Sequence, residues 1–471
     1  MTVNRNKELA ENTVILGIGQ LVPKLLALIT LPILTTYLST NEYGIYDLIT
    51  SFASLLIPIL TLQIQQAVFR YLLAKFDKSD RKKYVSSSFL FIIVSSCLIL
   101  PICFIFLRHK NISLFYSFII CILFSVEAFY NLLGQIVRGL GFNLKYSISV
   151  IIYSVVNMLL IVAIVAKIKL GLTGVILSLT VAYVCADIYM ILASGMREYI
   201  SLRYFSKEIL IELLVFSVPI VPSSIALWVV NLSDRMVILH FLGASANGIY
   251  AVANRIPTLY NTAYQVFNLA WTETASKVSD DGDPNEYYSN TFRVLFDFLI
   301  GVMLFLIAFT PLIFRILVKG DYGSAIYQVP ILYFGVFFNS FVNYYSGIYI
   351  AIKRTKQVGI SSVAGAVINL GINLLMIKTY GLIAASVSTA VSFMVIALYR
   401  AFDLNKVITI KYDFKKILLG MTLFCCASVL LYIGKWWCIL IIFVIATVYN
   451  LTMNYSLCKN IWNSVFHILK R

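Results

Sequence analysis

Charge is what this 471-residue chain has least of. Only 12% of its residues are charged, and acids are the scarcer sign, 21 Asp and Glu against 37 Lys and Arg. A soluble protein of this length carries about 25% charged residues, so a water-exposed globular surface is excluded. Histidine is nearly absent, with His109, His240 and His467 far apart in sequence. The eight cysteines form no CxxC pair, and no metal-ligand spacing appears. Zinc chemistry and a disulfide framework are therefore not expected. No phosphate-binding P-loop is present. Long polar segments are missing too, so no loop can hold a separate catalytic domain. The longest, about 273–290, contains Asp281-x-Asp283. This pair resembles the DxD of nucleotide-sugar transferases, but nothing around it forms a nucleotide-binding domain, and it reads as a solvated turn.

What is present is apolar. Hydrophobic residues make up 60% of the chain and aromatics 14%, with a mean hydropathy of +0.89. Apolar runs of about 20 residues, enough to span a bilayer as helix, recur from end to end. We predict an all-α, polytopic membrane protein with about 14 transmembrane helices. The first run, from Asn12 to Leu38, is too long for a secretory signal, contains Lys24 and lacks a small-residue cleavage site. It is expected to remain as the first span.

The +16 net charge reads as topology rather than nucleic-acid binding. Loops alternate in charge along the chain. Residues 75–84, 196–207, 353–356 and 406–416, together with both termini and the span ends on the same side, hold 26 of the 37 Lys and Arg. The intervening loops at 39–44, 108–111, 167–171 and 243–248 hold few. Cytoplasmic loops are enriched in Lys and Arg, so both termini are expected in the cytoplasm.

Two internal echoes suggest a duplicated plan. YLSTNEYGIY (37–46) returns as FLGASANGIY (241–250), and LGLTGVILSLT (170–180) returns as YGLIAASVSTA (380–390), at nearly equal offsets. Asn157 and Asn369 precede the second pair at similar places. The expected organisation is an N-terminal six-helix half, 1–208, a C-terminal six-helix half, 209–405, and an added helix pair with tail, 406–471. Each half has an even number of helices, so the two are related by a pseudo-two-fold axis along the membrane normal, with a site between them.

Polar residues inside the spans single out that site. Charge at a helix centre costs about 2.5–3.5 kcal/mol on insertion scales and usually faces a bundle interior or wet cavity. Asp47, Ser51, Ser54, Pro58, Thr61 and Gln65 follow one helical face of the second span. Ser224, Asn231 and Arg235, with Asp234 adjoining, mark the seventh. Arg255, Thr258, Thr262, Gln265 and Thr272 mark the eighth, and Gly17, Gln20 and Lys24 the first. The Ser and Thr residues equally suit helix–helix packing, whereas packing needs no cation. Lys24, Arg255 and Arg235, with Asp47 and Asp234 as counter-ions, predict a cationic cavity that favours an anionic, phosphate-bearing cargo. Arg70, Arg138 and Arg400 end spans and are expected to snorkel to headgroups, with Arg70 placed to guard a mouth. Glu127 and Asp187 are lone intramembrane acids, suited to ion coupling or to a neutral structural role. Prolines at 23, 32, 58, 219, 222, 257 and 311 can bend spans near the charges.

Taken together, Lys24, NLSDR (231–235), the Gly-Ile-Tyr turn and the span entering at Arg255 resemble the lipid-linked oligosaccharide flippases of bacterial polysaccharide pathways. These are O-antigen repeat-unit translocases of the multidrug/oligosaccharidyl-lipid/polysaccharide exporter superfamily. The resemblance implies movement of an undecaprenyl-diphosphate-linked glycan from the cytoplasmic to the outer leaflet of the bacterial inner membrane. It implies alternating access, no covalent chemistry and no resident cofactor, with coupling to a H+ or Na+ gradient. Membrane lipid is the implied surrounding partner, nucleic acid is not a partner, and polymerase and chain-length proteins of the same pathway are. Lys24 and Arg255 take the place of the family's cavity cations, with Arg235, Arg70, Asp47, Asp234, Gln65 and Gln265 beside them. A peptidoglycan-precursor flippase and a cation-coupled multidrug exporter are the alternatives. The exporter reading would require an acid-dominated pocket. A membrane glycosyltransferase would require a catalytic domain the chain lacks.

The charge pattern makes a direct test. In a background without native cysteines, Lys82→Cys should react with an impermeant maleimide only from the cytoplasmic side, and Asn111→Cys only from outside. The reverse labelling would invert the assigned topology.

Overall fold

The computed structural model describes residues 22–73, 77–278, 284–352 and 354–455. Gly17, Gln20, the Asp281/Asp283 pair, Cys458 and His467 lie outside the described residues, as do the side chains of Asn231, Thr262 and Thr272. Among the described residues every regular element is a helix. Eleven helices among the described residues are long and apolar enough to cross a membrane, or up to twelve if a bent pair counts as one span. The protein is thus a polytopic all-α membrane protein.

In chain order the helices are α1 (Val22–Tyr37), α2 (Thr40–Thr61), α3 (Ile64–Leu72), α4 (Lys78–His109), α5 (Leu114–Gly139), α6 (Asn143–Leu160), α7 (Gly171–Ala193) and α8 (Lys207–Ser217). They continue with α9 (Val221–Ala253), α10 (Arg255–Val278), α11 (Pro284–Leu317), α12 (Val329–Ala351), α13 (Thr355–Tyr380), α14 (Leu382–Leu404), α15 (Phe414–Ile433) and α16 (Trp436–Met453). Contacts divide the chain into two compact units, Met1–Ala251 and Val252–Arg471.

In the first unit α5 is central, packing on α2, α3, α4 and α7, while α8 lies on α3 and α4. Its core joins Leu60, Ile64 and Val68 to Leu132, Ile136 and Met190. The connections sort to opposite ends. At one end Tyr84 Oη donates to Glu212 (2.9 Å), Ser87 Oγ accepts from the Ser206 amide (3.0 Å), and Lys145 Nζ donates to the Ala193 carbonyl (2.8 Å). At the other, the Tyr116 and Thr173 hydroxyls meet at 2.9 Å and Glu42 accepts from the Leu172 amide at 3.2 Å. Within this unit the basic loops 75–84 and 196–207 thus share one end, and the weakly basic loops 39–44 and 167–171 share the other.

Local sequence explains the helix starts at the weakly basic end. Ser39 and Glu42 form a reciprocal capping box on α2. The same Glu42 carboxylate also reaches the first turn of α7, so one anion faces two helix N-termini, where the dipoles favour it. Gly171, at the start of α7, has φ +51°, and Gly381, just before α14, has φ +58°. These are the paired glycines of the second echo, and both need the left-handed conformation that glycine adopts without penalty.

The second unit is held by aromatic rings with satisfied tips. Trp271 stacks on Tyr344 at 4.7 Å and donates to its carbonyl at 2.9 Å. Tyr344 Oη donates to the Tyr288 carbonyl and Tyr288 Oη to that of Ala275, which meets the cost of burying each hydroxyl. The α15/α16 pair docks on α11 through polar groups. Asp297 accepts from Tyr449 Oη (3.2 Å) and lies 3.8 Å from Lys416, while Asn450 Nδ2 donates to the Gly301 carbonyl.

Two span-end arginines depart from the snorkelling expectation. Arg138 lies between the rings of Phe69 and Tyr146, at 4.9 and 5.4 Å. Arg400 is 1% exposed. Its guanidinium donates to Ser361, Ser346 and Ser362 and to the Val342 and Val358 carbonyls. The planar fork thus pins α12 and α13 to α14, using neutral acceptors where a headgroup was expected. Arg400→Lys cannot reach the same set, and Arg400→Met reaches none. Both should lower the thermal midpoint in detergent, by about 2–4 kcal/mol of stability for Met; an unchanged midpoint in both would show that the clamp contributes nothing.

Candidate functional site

The second span is not one continuous helix. α2 ends at Thr61, and Leu62 and Gln63 adopt φ +44° and +57° before α3 begins. For side-chain-bearing residues the left-handed conformation costs roughly 1–2 kcal/mol each, so local bonds must hold it. The Gln63 amide donates to Thr61 Oγ1 (3.2 Å), Ser95 Oγ donates to the Leu60 carbonyl, and Gln65 and Gln66 both donate to Gln63 Oε1 (3.0 Å). Broken membrane helices are tolerated where neighbours satisfy the freed backbone.

The polar stripe of α2 and α3 is occupied by α9. Arg235 Nε donates to Asp47 Oδ2 at 2.8 Å, Trp228 Nε1 to the Ser51 carbonyl at 2.8 Å, and Gln63 Nε2 to Ser224 Oγ at 2.8 Å. The ion pair is largely enclosed, with side chains 14% and 12% exposed. Asp234 adjoins Arg235 in the chain. That carboxylate is buried and accepts from Tyr250 Oη at 3.2 Å. The carboxylate that Arg235 Nε contacts is thus 188 positions away in the chain.

Next to this pair the two copies of the Gly-Ile-Tyr turn meet. α9 is broken at Gly243 (φ +87°), and its continuation lies against the first turns of α2. A Cβ on Gly44 would fall 1.8 Å from the Ala244 carbonyl oxygen and 2.8 Å from the Gly248 nitrogen. One on Gly248 would fall 2.0 Å from the Thr40 carbonyl oxygen. Thr40 and Gly44, like Ala244 and Gly248, are spaced four apart, the small-residue pattern that lets membrane helices approach by their backbones. Around the contact the Thr40 and Ser245 hydroxyls meet at 2.6 Å. Asn247, fully buried, donates to the Gly44 carbonyl at 3.0 Å and reaches Asp47 at 3.4 Å. Sequence reading passed over Asn247, Gln63 and Trp228. Only for Asn247 was there a signal, an amide inside the repeated turn.

Lys24 is exposed on α1 and Arg70 is exposed at the end of α3. Gln65 is buried, its Oε1 without a hydrogen-bond partner. Arg255 is half-buried at the first position of α10, and Gln265 is exposed on the same helix. Among the intramembrane acids, Asp187 is buried with Oδ1 unpartnered, and Glu127 is half-buried on α5. Beside them the rings of Tyr130, Tyr153 and Tyr183 lie 4.4 to 5.7 Å apart. No group of three or more metal-ligating residues occurs among the described residues.

The helical fold is shared with solved membrane transporters. The structure superposes on the lipid II flippase MurJ in its inward closed conformation with a TM-score of 0.70. That match has 15% identity and covers 96% of this chain and 99% of the other. An inward-facing multidrug resistance MATE family transporter of the MOP superfamily matches at 0.67, with 16% identity, covering 83% and 98%. A MOP superfamily transporter from Pyrococcus furiosus, described by the reverse polarity of its binding pocket, matches at 0.58 with 15% identity, covering 88% and 96%. At such identities the likeness shows the fold. The family comes from the sequence itself: residues 9–272 match the polysaccharide biosynthesis protein family, and the chain belongs to it. No protein of curated function matches the chain in sequence.

The glycine contact predicts a crosslink. In a background without native cysteines, Thr40→Cys/Ser245→Cys should form a disulfide under mild oxidation, whereas Thr40→Cys/Asn111→Cys should not. A failure of the first pair would mean that the two turns do not meet in the membrane.

Proposed function

We propose that this protein is a flippase that carries an undecaprenyl-diphosphate-linked oligosaccharide repeat unit, of O-antigen or capsular type, from the cytoplasmic to the outer leaflet of the bacterial inner membrane. Membership of the polysaccharide biosynthesis family over residues 9–272 carries the reading, and the shared fold with transporters, a lipid II flippase among them, supports it. The same likeness keeps a peptidoglycan-precursor cargo as the second reading. The chain acts without covalent chemistry, as a transporter.

In this reading the basic-loop end faces the cytoplasm, in accord with the positive-inside rule. The chain is organised as halves 1–208 and 209–405 with an added pair, 406–471. Lys24, Arg255 and Arg235 supply the positive field of a cationic cavity that receives the lipid diphosphate by charge-assisted hydrogen bonds. Gln65, Gln265 and neighbouring hydroxyls suit the sugars, and Arg70 stands at the cytoplasmic mouth. The Gly44–Gly248 contact and the Asp47–Arg235 pair close the outer end and must part for release. Coupling to a H+ or Na+ gradient belongs to the same reading, with Glu127 and Asp187 as the acids available to it. A multidrug exporter for cationic drugs would need the opposite sign in its pocket.

Lys24→Ala and Arg255→Ala should each reduce surface polysaccharide at least tenfold at unchanged membrane abundance, the loss of about 1.4 kcal/mol or more of cargo interaction. Normal polysaccharide in both variants would overturn the cationic-cavity reading. Drug resistance conferred by the wild-type gene would favour the exporter.

A further inference from the structure

The first unit contains an apolar cavity of about 730 Å3 that the transport reading does not use. The volume lies within the range of small-ligand pockets, about 300–1,000 Å3. It runs along α2 from Glu42 to Phe52, roughly 15 Å at the helical rise. Its deep wall is formed by buried Ile49, Ile120 and Phe124. At the rim Phe106 and Leu239 are exposed, so the cavity opens sideways toward the hydrocarbon of the bilayer.

The mouth is polar and unevenly charged. Lys110 lines it, with Arg108 and His109 just before it in the chain. The one acid in the lining, Glu42, is already committed to the Ser39 amide and hydroxyl and to the Leu172 amide. Lys110 makes no ion pair among the described residues; its ammonium lies 6.0 Å from the Phe106 ring. The Arg108 guanidinium donates to the Ile112 carbonyl and makes no ion pair among the described residues. A cation at the interface above a channel of hydrocarbon shape is complementary to an anionic lipid, headgroup at Lys110 and chain inside.

We infer that this cavity, whose lining includes neither Lys24 nor Arg255, is a lipid site that holds one hydrocarbon chain of a phosphate-bearing lipid with its phosphate at Lys110. Two sources share that chemistry: the polyprenyl phosphate carrier and the bulk anionic phospholipid. The site lies at the weakly basic end, which the topology above places at the outer leaflet. That placement rests on the transport reading, whereas the cavity and its lysine do not.

The full chain in phosphatidylcholine nanodiscs would be titrated separately with polyprenyl phosphate and with phosphatidylglycerol, and retained lipid counted by native mass spectrometry. A juxtamembrane lysine contributes about 1 kcal/mol toward an anionic lipid, so Lys110→Glu should lower retention about fivefold or more. Ile120→Trp, which fills the deep wall, should lower it while keeping the lysine, and Lys167→Glu, at the same end outside the lining, should leave it unchanged. Retention of polyprenyl phosphate alone assigns the site to the carrier; equal retention of both assigns it to anionic lipid in general. If Lys110→Glu and Ile120→Trp both retain either lipid as the wild type does, the inference is overturned. Surface polysaccharide in the Lys24→Ala variant is read independently, so failure of the transport reading is distinguishable from failure of this site.

Discussion

The approach of Gly44 to Gly248 sets the geometry on which the rest of the first unit depends. Two helices can approach this closely only where the residue facing the partner's backbone lacks a Cβ, and here even one methyl would overlap a carbonyl oxygen. Once the backbones are that close, Asn247 lies within reach of the Gly44 carbonyl, and Asp47, one turn further along α2, lies within reach of Arg235. The contact is apolar lipid chemistry turned to a polar end. Close packing replaces the hydrophobic drive that is missing between membrane helices, and the enclosed polar groups then find each other as partners.

The polar residues of the spans have a different meaning in the structure from the one their spacing suggests. Asp47, Ser51 and Gln63 line one side of α2 and α3 and are met by Arg235, Trp228 and Ser224 of α9. A stripe of this kind can line water or bind a second helix, and in this conformation it does the latter. Under the proposed transport cycle the same groups would exchange helix partners for cargo and water. That exchange suits hydrogen bonds in membranes, which are individually modest, about 0.6 kcal/mol on average in measured cycles. The break at Leu62–Gln63 provides a second adjustable element beside them.

Much of the architecture was legible in the chain. Apolar runs announced membrane helices, loop charge sorted the connections to two ends, and the repeated Gly-Ile-Tyr marked two turns of one kind. The echoed Gly171 and Gly381 both stand at a helix start with positive φ. The candidate site was legible in part. Asp47 was named as a counter-ion and Arg235 as a cation, but which cation Asp47 holds was not fixed, because residues distant in sequence become neighbours only through the crossing of α2 and α9. Arg400 was misread for a related reason. A terminal arginine looks the same whether it reaches lipid or folds inward, and only the serines of α12 and α13 decide.

The sequence by itself determined that this is a polytopic helical membrane protein with sorted loop charge, a repeated turn and membership of a polysaccharide biosynthesis family. Those properties are written in composition and short-range order, which the bilayer reads directly through the cost of burying charge and unpaired backbone. The tertiary structure alone decided that the two glycine turns touch, that Asp47 holds Arg235, that the second span is broken at Leu62–Gln63, and that a lysine-rimmed apolar cavity opens beside α2. Each of these depends on where helices cross, and crossing is set by side-chain and backbone fit between segments that no local pattern connects.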